Sequence, residues 1–197
     1  VDISERCVGS EGNKQATEYF EKTLSSFGCR TYLQEFNAID WYNGGASLTV
    51  NDQNFEVFAS PYSLGFHGSA QLAHASNIPE LKNGEFQGKL LLLYGEITKE
   101  QLMPKNFVFY NPAEHQQIIS CLEKSRVKAI ISATGRNPSL AGGVYPFPLI
   151  EDGDFNIPSV YMTEEEGMRL MSCIGKQATL KSVSKRIPSN GYNVIGK

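Results

Sequence analysis

Four consecutive leucines constrain the fold of this chain more than any other feature of its sequence. Residues 90–93 are all leucine, and they lie between two glycines, Gly88 and Gly95. A half-exposed strand would alternate apolar and polar residues, and a helix would need about ten residues or more. The run therefore predicts a strand that is buried on both faces, so that other elements must cover it.

The chain downstream of the leucines supplies those covering elements. Apolar runs at residues 127–131 and 157–162 predict two further strands. Between the leucines and the first of these runs, Asn111 is predicted to cap a helix whose first position is Pro112. Thr163 and Glu166 form a second capping box, which predicts another helix. Together these patterns predict a compact α/β module with the leucine strand at its centre.

Several weaker patterns complete the secondary structure. Residues 46–50 and 55–58 predict a hairpin across a polar turn, and residues 69–74 predict a strand that a polar loop joins to the leucines. Further strands are predicted at 178–183 and 192–197, with a polar linker at 184–191 between them. A strand formed by 192–197 has no obvious pairing partner within the sequence.

The N-terminal segment has a different character. Apolar residues recur at helical spacing over 10–27, and Gly28 provides a C-terminal stop. A strand follows at 29–36, and a turn-rich junction at 41–45 marks a domain boundary. One helix and one strand are too small to fold alone, so this segment requires a partner domain.

Composition excludes several function classes. The 197 residues carry a net charge of -3 with scattered lysines and arginines, which disfavours a nucleic-acid partner. No apolar run approaches the roughly 18 residues of a membrane span, and the first residues lack the features of a signal peptide. We expect a soluble protein, in a compartment that the sequence does not identify.

A search for catalytic residues finds no convincing constellation. The four cysteines are widely spaced and are expected to be unpaired, while His67, His74 and His115 show no metal-ligand spacing. The acidic run at 151–154 lacks the pattern of a calcium loop. Nucleophile elbows and phosphate-binding loops are also absent from the sequence.

The N-terminal sequence carries a family resemblance. The string Arg-Cys-Val-Gly-Ser-Glu-Gly-Asn-Lys-Gln-Ala at residues 6–16, the helix after it, and Gln-Glu-Phe at 34–36 resemble the first segment of zinc-dependent aminopeptidases of the two-metal type. Residues 44–186 resemble the protease-associated domain that is often inserted next in that family. The final residues, 192–196, resemble the first strand of the peptidase domain.

This resemblance implies the following organisation. Residues 1–43 would be the N-terminal helix and strand of the peptidase domain, 44–186 the protease-associated domain, and 187–197 a linker and the first peptidase strand. The implied fold class is α/β (α+β), a mixed, barrel-like sheet with flanking helices plus an N-terminal helix-strand appendage. Family members carry their zinc ligands after the last strand, beginning with a His-x-Asp motif, and this sequence ends before it. We therefore assign no metal or catalytic residue and expect this segment, truncated before the metal-ligand region, to be inactive and to bind no zinc itself.

Two functional hypotheses remain open. The chain is the non-catalytic part of a zinc aminopeptidase, in which two zinc ions and the peptide substrate belong with the remainder of the peptidase domain. Alternatively, it is a stand-alone binding module or a receptor-like relative without activity.

The long loop at 135–154 supplies the sole candidate site residue. Arg136 offers the geometry to hold a substrate carboxylate, and the loop with its aromatic run at 145–148 is predicted to face the cleft of the remaining peptidase domain and to contact substrate. A surface loop with a packed aromatic is the competing interpretation. The apolar face of the N-terminal helix, with Tyr19, Phe20 and Leu24, is expected to be partly exposed or covered by a second copy in a homo-oligomer.

Overall fold

The computed structural model describes residues 2–3, 5–135 and 145–197, which form two compact units. Unit 1 comprises Val1–Tyr42 and Arg186–Lys197, and unit 2 comprises Asn43–Lys185. Within the described ranges, no helix combines the length and the apolarity that crossing a membrane requires.

Eight strands form a mixed sheet with the order β2-β1-β8-β4-β5-β6-β7-β3. The strands are β1 (Thr31–Val50), β2 (Gln53–Phe55), β3 (Phe58–Ala59), β4 (Phe66–Ala75), β5 (Leu90–Leu93), β6 (Ala129–Thr134), β7 (Ser159–Thr163) and β8 (Gln177–Gly196). Strands β4 to β7 are parallel to their neighbours in this series, whereas the pairs β1–β2, β3–β7 and β4–β8 are antiparallel.

Strand β5 lies between β4 and β6, and all four of its leucines are fully buried. Because side chains alternate along a strand, the leucines divide between two hydrophobic clusters. Leu90 and Leu92 pack in one cluster, and Leu91 and Leu93 pack in the other. The prediction of a central strand that is buried on both faces is confirmed.

Four α-helices accompany the strands. They are α1 (Glu11–Ser26), α2 (Ile78–Asn83), α3 (Ala113–Lys124) and α4 (Glu164–Met171). Helices α2 and α3 contribute Leu81, Ile118 and Leu122 to the cluster that holds Leu91. Helix α4 contributes Leu170 to the cluster that holds Leu92. A mixed sheet with flanking helices, as the sequence predicts, is thus confirmed.

The sheet of unit 2 is strongly curled. Its edge strands β2 and β3 are joined by Glu56 and Val57 alone. Three Cα–Cα steps separate Phe55 from Phe58, which allows at most about 11 Å between them. The edges of a flat eight-stranded sheet would be about 33 Å apart, since neighbouring strands are spaced by about 4.7 Å. The sheet therefore bends around the cluster that contains Leu92, to which seven of the eight strands contribute.

Unit 1 contains α1, the first part of β1 and the last part of β8. The Ser10 hydroxyl accepts a hydrogen bond from the Asn13 backbone at 3.1 Å and so caps α1, and Gly28 follows the helix with φ +87°. The predicted helix and its glycine stop are confirmed. Arg30 and Lys197 exchange two backbone hydrogen bonds of 2.9 and 3.0 Å.

Several local predictions are wrong. Residues 41–45 lie inside β1 rather than in a turn, although the boundary predicted there agrees with the division between the two units at Tyr42 and Asn43. The predicted linker at 184–191 lies inside β8, which is continuous to Gly196. The C-terminal residues pair with β1 rather than lacking a partner. The supposed polar loop before the leucines contains α2.

The cap of α3 also differs from the prediction. The N-cap is Pro112, and the Asn111 side chain instead donates to the Lys105 carbonyl at 2.8 Å. Asn111 is therefore committed to the preceding loop through its amide NH2 group, while its Oδ1 is buried and has no hydrogen-bond partner among the described residues. Thr163, in contrast, caps α4 through the Glu166 backbone N–H, as predicted.

A reciprocal cap at α2 gives a pH-dependent prediction. Asn77 accepts from the Glu80 backbone at 2.9 Å, and the Glu80 carboxylate accepts from the Ser76 backbone at 2.8 Å and from its hydroxyl. The Ser76 backbone contact is the main reason that the pKa of Glu80 lies below its ordinary value of 4.5. A lowered pKa means that the folded state favours the carboxylate. The stabilisation is therefore complete above the unfolded-state pKa and is lost as the pH falls through the folded-state pKa.

We expect the Ser76 amide and the Glu80 side-chain carbons to titrate together in NMR spectra, with a midpoint below 4.5. The Glu80→Gln variant serves as the control, since its amide has no proton to gain in this range. An acid-dependent shift of the Ser76 amide that persists in this variant would contradict the assignment.

Candidate functional site

The predicted substrate-contacting residue Arg136 lies outside the described residues, and so do its neighbours to residue 144. The described part of the same loop packs inward. Thr134 donates its hydroxyl to the Phe147 carbonyl at 2.7 Å, and the Phe147 side chain is 5% exposed. The Tyr145 hydroxyl donates to the Glu165 carboxylate. The Phe147 ring therefore belongs to the core, as the competing interpretation of a packed aromatic expects.

The histidines do not form a metal site. His115 is buried, its Nδ1 accepts from the Met103 backbone at 3.1 Å, and its Nε2 lies 3.2 Å from a Glu100 carboxylate oxygen. This arrangement places the ring proton on Nε2, so both nitrogens are occupied. His74 lies beside the Tyr94 ring, and His67 is exposed on β4. The part of the chain that the structure describes holds no group of three or more His, Cys, Asp or Glu residues able to bind a metal ion.

A cleft with a volume of about 730 Å³ lies beside α2 and α3. Lysines dominate its charged lining, with Lys82, Lys89 and Lys124 against the single acid Glu85, and Cys121 also borders it. None of its lining residues is a histidine. The cleft thus lacks the nucleophile–histidine pair on which many hydrolases depend.

A second candidate feature is the aromatic loop, which we define as residues 107–110 (Phe-Val-Phe-Tyr). Hydrogen bonds between polar residues hold both of its ends. On its N-terminal side, the Lys105 backbone donates to Asp152 at 3.0 Å and the Lys105 ammonium donates to Glu123 at 2.8 Å. The Asn106 amide donates to the Asp154 carboxylate at 3.0 Å. These contacts hold the start of the loop against the segment that precedes β7.

Contacts on the C-terminal side of the aromatic loop are equally specific. The Asn111 side chain bonds to Lys105, and Gln116 donates to the Asn111 carbonyl at 2.9 Å. The Tyr110 ring meets the His115 ring edge-on, with centroids 6.4 Å apart. The loop is therefore fixed at both ends, while all four of its side chains point into solvent.

Unit 1 presents the other large apolar surface. Among its described residues only two glycines, Gly12 and Gly191, are buried. Tyr19 and Phe20 on α1 are each 52% exposed and Leu24 is partly exposed, which confirms the expectation for that helix. The further exposed large apolar side chains of unit 1 are Val8, Phe27, Tyr32, Leu33, Phe36, Ile39, Tyr42 and Ile187. A unit with this surface and no buried large side chain has no core of its own.

The aromatic loop carries only a weak signal in the sequence, and the patterns described above did not predict it. Residues 107–110 are four consecutive large apolar residues between Asn106 and Asn111. By the rule that identified the leucine strand, they would be placed in the core. The flanking Pro104 and Pro112 are the local evidence against a buried strand.

Comparison with known proteins identifies solved structures that share the fold of this chain. The sequence matches no protein-family model and no curated protein. An aminopeptidase from an Aneurinibacillus strain has a similar structure over 98% of this chain, with a TM-score of 0.70 and 20% identity, and the match covers 44% of that protein. A zinc aminopeptidase from Bacillus subtilis matches over 98% with a TM-score of 0.62 and 19% identity, covering 43% of its chain.

A peptidase precursor from Shewanella amazonensis gives the same result. Its structure matches 98% of this chain with a TM-score of 0.63 and 18% identity, and the match covers 47% of the precursor. The chain therefore has the fold of a part of these proteins and spans less than half of the length of each.

Proposed function

We propose that this chain is the non-catalytic N-terminal and protease-associated region of a zinc metallo-aminopeptidase. The observation that carries the proposal is the fold match, in which 98% of the chain is similar to less than half of an aminopeptidase. In this proposal residues 1–43 and 187–197 belong to the peptidase domain, and residues 44–186 are the protease-associated domain. The remainder of the enzyme hydrolyses peptides, and this region shapes substrate access or assembly.

The exposed apolar surface of unit 1 is evidence for a neighbouring partner domain. Its exposed aromatic and aliphatic side chains are the type of surface that a neighbouring domain covers. The remainder of the peptidase domain is the proposed occupant, and a second copy of the chain is the alternative. The two zinc ions of the enzyme are assigned to that remainder, because the described residues offer no ligand set.

The test compares aminopeptidase activity of the 197-residue chain with that of a longer natural protein that contains it. We expect activity toward aminoacyl reporter substrates in the longer protein alone, lost on chelation and restored by zinc. Activity in the 197-residue chain itself would contradict the assignment of a non-catalytic role. Inactivity of both proteins would favour the second candidate function.

Arg136 remains our candidate for a substrate contact. A charge-assisted hydrogen bond contributes about 1.5–3 kcal/mol, so Arg136→Ala in the longer enzyme should raise KM about 10- to 100-fold for substrates with a carboxylate. Arg126→Ala is the matched control, because Arg126 is exposed within unit 2 and its printed contact with Gly88 is through its backbone carbonyl. An unchanged KM and substrate preference would remove Arg136 from the site.

The second candidate function is a stand-alone binding module or receptor-like relative. The observation that favours it is the anchored aromatic loop, whose side chains are exposed within unit 2. A binding surface of this kind does not require a peptidase domain.

A further inference from the structure

Among the described residues of unit 2, the aromatic loop is the most exposed apolar segment. Phe107 is 42% exposed, Val108 83%, Phe109 89% and Tyr110 57%. Single exposed apolar residues are ordinary on protein surfaces, but a contiguous patch commonly marks an interaction site. Phe107 and Phe109 also contact each other edge-on, with ring centroids 5.9 Å apart, so they form one continuous aromatic surface.

The exposure is built into the structure of the loop. Lys105 is held by Asp152, Glu123 and the Asp154 carbonyl, and Asn111 bonds back to Lys105. A loop fixed in this way loses little conformational freedom when a partner binds.

Acidic side chains lie at both ends of the aromatic loop. Glu123, Asp152 and Asp154 contact Lys105 or Asn106 at one end. At the other end His115, which touches the Tyr110 ring, pairs with Glu100, and Glu114 is adjacent in sequence. These five carboxylates outnumber the two lysines nearby, Lys99 and Lys105, and each lysine is already paired with one of the acids. The border of the apolar patch is therefore negatively charged.

We propose that the aromatic loop docks a cationic, apolar segment of another polypeptide. Apolar side chains of the partner would pack on Phe107 and Phe109, and its lysines or arginines would face the carboxylates at the two ends. Opposite potentials across an interface favour encounter and select the partner.

The same charges disfavour other occupants. An anionic membrane surface attracts basic segments, and it would be repelled by this acidic border. A second copy of the chain would bring the same acidic border, so a symmetric contact between two aromatic loops would oppose like charges. This proposal concerns unit 2 alone and does not depend on the assignment of the chain to an aminopeptidase.

The test measures binding of short fluorescent peptides to the intact chain by anisotropy. One peptide alternates leucine and lysine, and its matched partner alternates leucine and glutamate. We expect the lysine peptide to bind, the glutamate peptide to bind at least about tenfold more weakly, and added salt to weaken the difference.

Variants locate the binding site. Phe109→Ser should weaken binding of the lysine peptide about tenfold, which is typical for the loss of a central aromatic contact. The control Met168→Ser removes a side chain that is 65% exposed on α4 and should leave binding unchanged. Glu114→Lys should weaken binding several-fold, whereas Glu85→Lys, at the lysine-lined cleft, should not. All four positions are exposed, so circular dichroism should show the same folded state for each variant.

Three results would overturn the proposal. These are equal binding of the two peptides, equal effects of Phe109→Ser and Met168→Ser, or no binding of either peptide. Binding of uncharged lipid vesicles that depends on Phe109, without binding of the lysine peptide, would assign the loop to a membrane surface instead.

Discussion

Replacing Leu92 by alanine should destabilise unit 2 by about 2–5 kcal/mol, the usual cost of a cavity in a packed core. Leu92 is fully buried, and the curled sheet and α4 surround it with the cluster that includes Ile131 and Leu170. None of these elements can collapse into the cavity without moving its strand neighbours, which favours the upper part of the range. Leu91→Ala should reduce stability by a similar amount, because Leu91 packs in the cluster on the other face of the sheet.

The measurement must follow unit 2. The single tryptophan, Trp41, belongs to unit 1, so its fluorescence reports on the wrong unit. Denaturant unfolding followed by circular dichroism, or hydrogen exchange of the β5 amides, reports on the central strand. Met168→Ala is the matched control on α4 and should change stability by less than about 0.5 kcal/mol. A Leu92→Ala effect as small as that of the control would mean that β5 is not buried on both faces.

The second large loss of stability is expected on substitution of Gly167, where α4 crosses β6. A Cβ atom added at Gly167 would lie 2.3 Å from the Cβ of Ala133, which is far inside van der Waals contact. Alanine gains about 1 kcal/mol over glycine from helix propensity. Overpacking a tight core typically costs about 1–3 kcal/mol, and occasionally more. Because both backbones are fixed by their own hydrogen bonds, we expect a cost at the upper end of that range. After the gain in helix propensity is subtracted, Gly167→Ala should lower the free energy of unfolding by about 2 kcal/mol overall.

A second substitution tests the cause of that loss. Ala133→Gly removes the atom that the new Cβ would meet, so the double variant Gly167→Ala/Ala133→Gly should be more stable than the sum of the two single changes predicts. Strictly additive effects would show that the contact between α4 and β6 is not responsible.

The elements that the sequence predicted well are those with local causes. The leucine run has no polar face, and the Thr163 hydroxyl caps α4 by accepting from the backbone N–H of Glu166, three residues later. Such signals depend on residues that are neighbours in the chain. The helix at 10–27 likewise ends at a glycine that adopts a positive φ.

The elements that were missed depend on contacts between distant residues. Residues 184–191 are polar and contain Pro188, so they resemble a linker, but β1 pairs with this part of the chain and extends β8 through it. Asn111 was expected to cap α3, but the carbonyl of Lys105 holds its side chain. The exposure of Phe109 depends on anchors from Asp152 and Asp154, which lie more than forty residues away in the sequence.

The short connection between β2 and β3 affects the tendency of unit 2 to aggregate during synthesis. Free sheet edges recruit strands from other molecules and so start aggregation. Here the edge strands have three and two residues, and the Glu56 backbone N–H between them donates to the Glu166 carboxylate at 3.2 Å. These two edge strands therefore leave little of their own backbone for a foreign strand to pair with. A unit protected in this way can be carried within a longer polypeptide without templating misassembly while its neighbours are still being synthesised.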